Sequence, residues 1–545
     1  MFPAFRVPRM KACLACASAK AKCEAGLDYT KCKRCSLQGI ECAVRDVTSR
    51  KRRKPGEKDY NRILVGTSTP CSTSSLFSDV ELSNAMTYYR TTLFCYCPFV
   101  VLPNVLEIDK LKLGKPFLAL VVVMLGSTKD RDRQCGLAIE CRKYLAFHVI
   151  ENGEKSLDLV QGLLLLVHWY HFQSELADQK SVFLHILVAM VDNLKLSFGP
   201  CLPPRWRNAT DLATRLNLDV KSIPDHCVDE KRAFLGCLYL TSVMSQCGMN
   251  LDASRCSQYD NRCCEELEAS ELASDRDLAR LVRLQRILDH IEVYRSLLSQ
   301  GPSVETFGFG AAYSLDSQPF EADPLGFIDR WSKVLDFFWC SVPHNSRTVL
   351  LSIQHEYARL CLYEIIIDEH VTFSPRDRLL ILHKCLQTVK SLHKSLLTLT
   401  LDPVSFLDMP YHLFGESNHS VFVAVQLGLV RCDGWDSGSV EDELNMTDTM
   451  NTATRKLEHI LGTRPRREIP EYFRALEHRG RKIRIWYDTN VKASRDRHDG
   501  ARAETMGRGW DEIDFDFLGQ FLHLDDSMWL QSMLGEGESV DIGYN

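Results

Sequence analysis

The chain has 545 residues, 45% hydrophobic and 25% charged, and carries a net charge of −5. It is too long for one ordinary domain and apolar enough for a sizeable core. With 22 cysteines and no secretory h-region, a reducing compartment is the economical expectation, which excludes a disulfide-framed secreted scaffold. No apolar run reaches the length of a membrane span. The best candidate, Phe117 to Leu125, is closed off by Pro116 and Gly126, and Leu157 to Phe172 is interrupted by Asp158, Gln161, His168 and His171. Both read as buried helices.

The charge is unevenly placed. Residues 1–58 hold fifteen Lys plus Arg against five Asp plus Glu, a balance of +10, so the rest of the chain carries −15. A small basic head on a large acidic body is the footprint of a nucleic-acid-binding module joined to something else.

After a short tail (1–12), residues 13–42 read CLACASAKAKCEAGLDYTKCKRCSLQGIEC. The six cysteines Cys13, Cys16, Cys23, Cys32, Cys35 and Cys42 leave gaps of two, six, eight, two and six residues. The pattern is therefore a CxxC pair followed by a third cysteine, written twice. Thiolates in CxxC pairs are the usual ligands of tetrahedral zinc. One zinc would leave two sulfurs over; two zincs need eight ligand positions, which six cysteines supply if two of them bridge.

This stretch resembles the DNA-binding head of the fungal zinc binuclear-cluster transcription factors, whose C-x2-C-x6-C repeat it matches at every cysteine. The resemblance implies that Cys13 and Cys32 bridge the two zincs, that Cys16 and Cys23 complete one site, and that Cys35 and Cys42 complete the other. It also implies that a helix from Cys16 to Lys22 enters the major groove and that Lys20 reads a CGG-like triplet. Two positions depart from the family pattern: Ala17 and Ala19 stand where basic residues are common, and Thr30 where a proline often precedes the fourth cysteine.

The charges make sense independently of the family. Six thiolates and two divalent zincs sum to an anionic knot that would repel phosphate. Lys11, Lys20, Lys22, Lys31, Lys33 and Arg34 surround it and reverse the sign. The basic stretch 43–58 contains SRKRRK, with Lys51, Arg52 and Arg53 at its centre. It reads as a nuclear localisation signal and a phosphate-contacting arm. Lys22, Lys33, Arg34 and this arm are expected on phosphates, which fix orientation without reading sequence. The expected partner is double-stranded DNA and the expected location the nucleus. The alanines predict weaker binding with a shallower salt dependence. The competing class is a zinc-stapled protein-interaction module that has lost DNA affinity.

Residues 59–78 include a Ser/Thr-rich run expected to be a flexible tether. Between Tyr60 and Tyr89 there is no room for three heptads, so a homodimer would have to form without a coiled coil there. From Asp79 to about residue 480 the texture is that of an all-α body. Leu278, Leu281, Leu284, Leu288 and Ile291 recur at helical spacing, as do Leu382, Leu386, Val389, Leu392 and Leu396. Ser374-Pro375-Arg376-Asp377 predicts the start of the second of these helices. The phrases YCPFVVLP (96–103), LDLVQGLLLLVHWYHF (157–172) and EKRAFLGCLYL (230–240) resemble the regulatory middle region that follows such clusters, which implies a regulatory role for residues 80–300. The fold class is thus mainly α, a zinc-stapled cluster followed by a large helical regulatory domain.

Residues 481–509 are expected to form a mobile charged loop. The final segment, 510–545, has nine acids and no Lys or Arg, with Ile513, Phe517, Phe521, Leu524 and Met528 at helical spacing. Acids that keep aromatic and leucine side chains in solvent are the composition of transcriptional activation segments. Co-activators or the transcription machinery are the partners that fit, and a docked terminal helix is the other reading. Catalytic signatures are thin. Gly308-Phe309-Gly310 lacks a third glycine, His168 and His171 have no spaced carboxylate, and Arg359 stands where His355-Glu356 would need a second histidine. An enzyme is not expected.

Overall fold

The structure is a computed structural model that describes residues 13–19, 21–23, 32–40, 42, 73–199, 225–247, 249, 258–299, 323–368, 371–399, 406–430, 432–465 and 468–488. The chain divides into two units, Met1–Thr69 and Pro70–Asn545. In the small unit two short helices, α1 (Leu14–Ser18) and α2 (Lys33–Gln38), follow the first cysteine of each half. Cys32 caps α2 with its own sulfur, which accepts the Cys35 N–H. Gly39 ends the helix at φ +66°, a left-handed conformation that an L side chain rarely adopts.

The large unit begins with α3 (Thr73–Leu76), α4 (Asp79–Tyr88), α5 (Ile108–Gly114), α6 (Pro116–Gly126) and α7 (Arg131–Leu145). Next come α8 (Leu157–His168), α9 (Lys180–Asn193), α10 (Val228–Gln246), α11 (Gln258–Glu268) and α12 (Ala273–Ser299). The series continues with α13 (Pro324–Ser341), α14 (Val349–Glu364) and α15 (Pro375–Leu399). It closes with α16 (Tyr411–Leu429), α17 (Ser437–Leu444), α18 (Met446–Thr463) and α19 (Glu471–Tyr487). Among the described residues there is no strand, every cysteine is a free thiol, and no helix is long and apolar enough to cross a membrane.

The two apolar runs are the centre of the first half. Helix α6 is buried from Phe117 to Leu125, surrounded by α4, α7 and α8. Pro116 at its first position has no N–H to satisfy, and the next two donors, Phe117 and Leu118, bond to the Asp158 carboxylate at 3.0 and 2.8 Å. Burial pushes Asp158 up to about 6, against those two N–H groups. Asp158, which interrupts the apolar run in sequence, is thus the cap of a neighbouring helix. Close approach excludes a side chain at Gly162, where a Cβ would lie 2.3 Å from the Phe117 ring, and at Gly236, where it would lie 2.6 Å from Phe99.

The predicted stripes form as read. Leu278, Leu281, Leu284, Leu288 and Ile291 are buried along α12, and Leu382, Leu386, Val389, Leu392 and Leu396 along α15. The Ser374 hydroxyl accepts the Asp377 N–H at 3.2 Å and so caps α15. In the small unit α1 starts before and ends short of the helix expected from Cys16 to Lys22, and two boundaries of the large unit differ from expectation. The body starts before residue 79, because α3 precedes it and Phe77 is buried. At the other end α19 runs through the first residues of the expected loop, to Tyr487, whose hydroxyl donates to Glu441 at 2.6 Å. Residues 489–509 and 510–545, with the activation-segment reading, lie outside the described residues, as does Gly308-Phe309-Gly310.

The histidines considered for catalysis are core residues. His168 and His171 are buried, and burial pushes both down to about 3, so they are neutral. One His168 ring nitrogen meets the Tyr96 carbonyl at 3.0 Å. His355 stacks on Trp339 at 4.6 Å.

A buried polar network crosses the second half. Ser242 and Gln246 on α10 bond to the Gln285 side-chain carbonyl on α12 at 3.0 and 2.9 Å, and the Gln285 amide donates to Gln354 on α14. The Gln354 amide in turn sits 2.7 Å from both carboxyl oxygens of Glu416 on α16. Burial, opposed by the Gln354 amide, pushes Glu416 up to about 8. At neutral pH the folded chain therefore holds a proton that the unfolded chain releases. That contribution to stability is complete below the ordinary glutamate range and is lost as pH rises to about 8. Replacing Glu416→Gln keeps the neutral form at every pH. Its unfolding midpoint is expected to fall less between pH 5 and 8 than that of the unaltered chain, as read by thermal denaturation.

Candidate metal centre

The two halves of the cysteine motif are offset by nineteen residues, so that Cys13, Cys16 and Cys23 correspond to Cys32, Cys35 and Cys42. The structure repeats that offset in its hydrogen bonds. The Cys13 N–H points to the Cys23 sulfur at 3.5 Å, and the Cys32 N–H to the Cys42 sulfur at 3.2 Å. Ala21 donates to the Cys16 carbonyl at 3.0 Å and Ile40 to the Cys35 carbonyl at 3.2 Å. Each half thus folds its third cysteine back beneath its first.

The halves face each other through sulfur. Cys16 and Cys32 lie 3.5 Å apart, Cys13 and Cys35 3.6 Å, and Cys13 and Cys32 3.8 Å. The first two pairs are equivalents under the nineteen-residue offset, and the third joins the two first cysteines. The Sγ atoms of Cys13, Cys16, Cys32 and Cys35 all lie within 4.8 Å of one another, and all four side chains are buried. That donor set fits a metal held by thiolates. Cys23 and Cys42 pack against the four from the outside. Backbone donors distinguish the sulfurs. The Cys35 N–H holds Cys32 down at about 6, and the Cys16 N–H lowers Cys13, whereas burial raises Cys16. The sulfurs most readily ionised are the two that lie between the halves.

The cationic residues fall into three groups. Lys22 and Lys33 are exposed. Arg34 is only part-exposed: its guanidinium reaches across to the Ala15 carbonyl at 3.4 Å and to the Cys16 sulfur at 3.9 Å. It therefore clasps the first half from the second, a role that spacing alone did not suggest, and it sets a positive charge beside a buried sulfur. Lys20, Lys51, Arg52 and Arg53 lie outside the described residues.

A second group able to offer ligands, Cys361, Glu364 and His419, lies in the large unit. Burial alone would raise Glu364, but Arg295 at 3.0 Å and His419 at 3.1 Å hold its carboxyl down at about 2. The carboxylate's charge is already answered by a guanidinium, so this is a buried ion network and not a cation site.

Comparison with known proteins gives the setting. Residues 403–541 match the family model ATEG07667_C, described as a C-terminal domain, which takes in α16 to α19 and most of the acid-rich terminal segment. The chain is 27% identical over 294 residues to the "Transcription factor himD" of Aspergillus japonicus, covering 53% of this chain and 45% of that protein. It is 23% identical over 393 residues to the "Transcription factor opdL" of Penicillium oxalicum, covering 69% and 65%. It is 25% identical over 217 residues to the "Transcriptional regulator WAR1" of Candida albicans, covering 39% and 22%. The chain thus spans less than two thirds of the length of these relatives.

Arg34 generates a direct test. Replacing Arg34→Ala removes a charged donor to the cluster, an interaction worth about 1.5–3 kcal/mol. Metal release is then expected at a chelator concentration at least about tenfold lower, while Lys33→Ala on the exposed face leaves release unchanged. Competition with a chromogenic chelator reads both.

Proposed function

We propose that the protein is a sequence-specific DNA-binding transcription factor of the fungal zinc binuclear-cluster kind. Its place of action is the nucleus, on genes read by RNA polymerase II, including a metabolic or secondary-metabolite set. The observation that carries the reading is the meeting of the Cys13, Cys16, Cys32 and Cys35 sulfurs from two equivalent half-motifs. The transcription-related names of all three relatives support it.

Two zinc ions would be held by Cys13, Cys16, Cys23 and Cys32 and by Cys32, Cys35, Cys42 and Cys13. Bound zinc supplies the cross-links that a unit this small cannot draw from apolar burial, about 10–16 kcal/mol in comparable peptides. The chain's own residues do the rest. Lys20 is assigned to the N7 and O6 acceptors of guanine in a CGG-like triplet. Lys22, Lys33 and the Lys51-Arg52-Arg53 arm are assigned to phosphates, with Arg34 dividing its charge between cluster and backbone. Residues 510–545 are assigned to co-activators or the transcription machinery, and a homodimer on paired triplets is compatible with this arrangement. The reading assigns the protein no enzymatic activity.

A second reading is favoured by Ala17 and Ala19, which put methyl groups where basic side chains would meet phosphate. In it the zinc-stapled unit binds another protein and has lost its hold on DNA. Selection from a pool of random duplexes separates the two, because a recurring motif is enriched only under the first.

Three outcomes are expected. Stripping zinc with a chelator abolishes folding of the small unit and motif binding together, as read by circular dichroism and gel shift; a metal-free chain that still selects the motif contradicts the assignment. Lys20→Ala costs about 1–3 kcal/mol at the triplet and relaxes base preference there, whereas uniform weakening on every sequence would make Lys20 a phosphate contact. Deleting residues 510–545 lowers reporter activation and leaves duplex binding intact; loss of soluble protein would instead identify that segment as part of the folded body.

A further inference from the structure

The small unit exposes two side chains that neither the metal centre nor the assigned phosphate contacts use. Ser36 and Leu37 both stand on the outer face of α2, and Leu37 is 81% exposed, an apolar group held in water. They close the run Lys33-Arg34-Cys35-Ser36-Leu37. Ser36 thus has a cation at the third and at the second position before it and an apolar residue directly after it. No other serine or threonine in the chain has Lys or Arg at both of those positions. Protein kinases choose substrates by such charge patterns. Those that favour basic substrates pair the two cations with acidic groups in the peptide groove and seat the apolar residue beside the transfer site.

The fold sets a condition on that chemistry. A kinase groove takes its substrate extended, which puts the third position about 10 Å from the acceptor. On a helix the same three steps advance only about 4.5 Å, and α2 covers Lys33–Gln38. Arg34 is also drawn inward, to the Ala15 carbonyl at 3.4 Å and the Cys16 sulfur at 3.9 Å. The folded unit therefore leaves the acceptor outside but withholds the basic half of the pattern. A helix of six residues does not persist by itself, so loss of the metal that closes the cluster would release the whole run.

We propose that Ser36 is a phosphorylation site for a serine/threonine kinase of the kind that selects basic substrates, open when the small unit is metal-free and closed when it is loaded. The gating rests on the metal-centre reading above; the choice of acceptor does not. In the transfer the Ser36 Oγ attacks the γ-phosphorus of ATP, and the bond from that phosphorus to the bridging oxygen breaks. ADP leaves, and the hydroxyl proton passes to the kinase's catalytic carboxylate. The new group carries about −1.5 to −2 charges, which cancels part of the +10 balance of residues 1–58.

The catalytic subunit of cyclic-AMP-dependent protein kinase, with magnesium and ATP, is a suitable probe. The full chain is stripped of metal, separated from the chelator, and modified; peptide mass mapping is expected to find phosphate on Ser36. An unmodified Ser36 in the stripped chain overturns the proposal. The double variant Lys33→Ala, Arg34→Ala is expected to slow modification of Ser36 at least about tenfold, and because the stripped unit has no fold to lose, an undiminished rate overturns the assignment. Reloading the chain with zinc is expected to slow modification at least about tenfold, while a short peptide substrate in the same tube reacts as before. Equal rates for the loaded and stripped chains overturn the gating. Zinc content is measured alongside: a chain that takes up none overturns the gating together with the metal centre, and the stripped-chain result still decides the acceptor. None of these readouts involves DNA.

Discussion

The small unit depends on sulfur meeting sulfur. Its buried cluster among the described residues consists of four cysteines, with Ala15, Cys23 and Cys42 packed against them. Two short helices cannot bury enough apolar surface to fold alone, and α1 and α2 each amount to little more than one turn. What holds them is the geometry that brings Cys16 to Cys32 and Cys13 to Cys35. Backbone N–H groups aimed at Cys13 and Cys32 favour thiolate at the two positions shared between the halves. A metal centre is the chemistry that turns such a gathering of like-charged ligands from a cost into the source of the fold.

The large unit rests on different physics. Its stability comes from apolar burial on helices such as α6, α8 and α14, and its specificity from polar groups that distant elements satisfy for one another. The chain of side chains from Ser242 through Gln285 and Gln354 to Glu416 links four helices at one register. The Arg295–Glu364–His419 group does the same for α12, α14 and α16. A network of this kind penalises any slip of one helix past another, because each slip strands further buried polar atoms.

Charge is also divided along the chain, with +10 on residues 1–58 and −15 on the remainder. The basic head suits a polyanion, and the acidic remainder does not compete for it. Within the large unit, α16 to α19 and the acid-rich terminal segment fall in one matched domain.

Much of this was legible in the sequence because it is encoded locally. Ligand spacing is a property of neighbours along the chain, and the six cysteines marked out two equivalent half-motifs, four of whose sulfurs the fold brings together. Helical stripes on α12 and α15 and the Ser374 cap are likewise set by residues three and four apart. Tertiary structure alone decided what depends on which distant side chain arrives opposite. Asp158 looked like a blemish in an apolar run until α6 placed two bare N–H groups against it. Arg34 looked like one more phosphate contact until the fold carried it to Cys16. Glu416 holds its proton because the packed helices bury it beside the Gln354 amide. Periodicity fixes which face of a helix turns inward; only packing determines what it finds there.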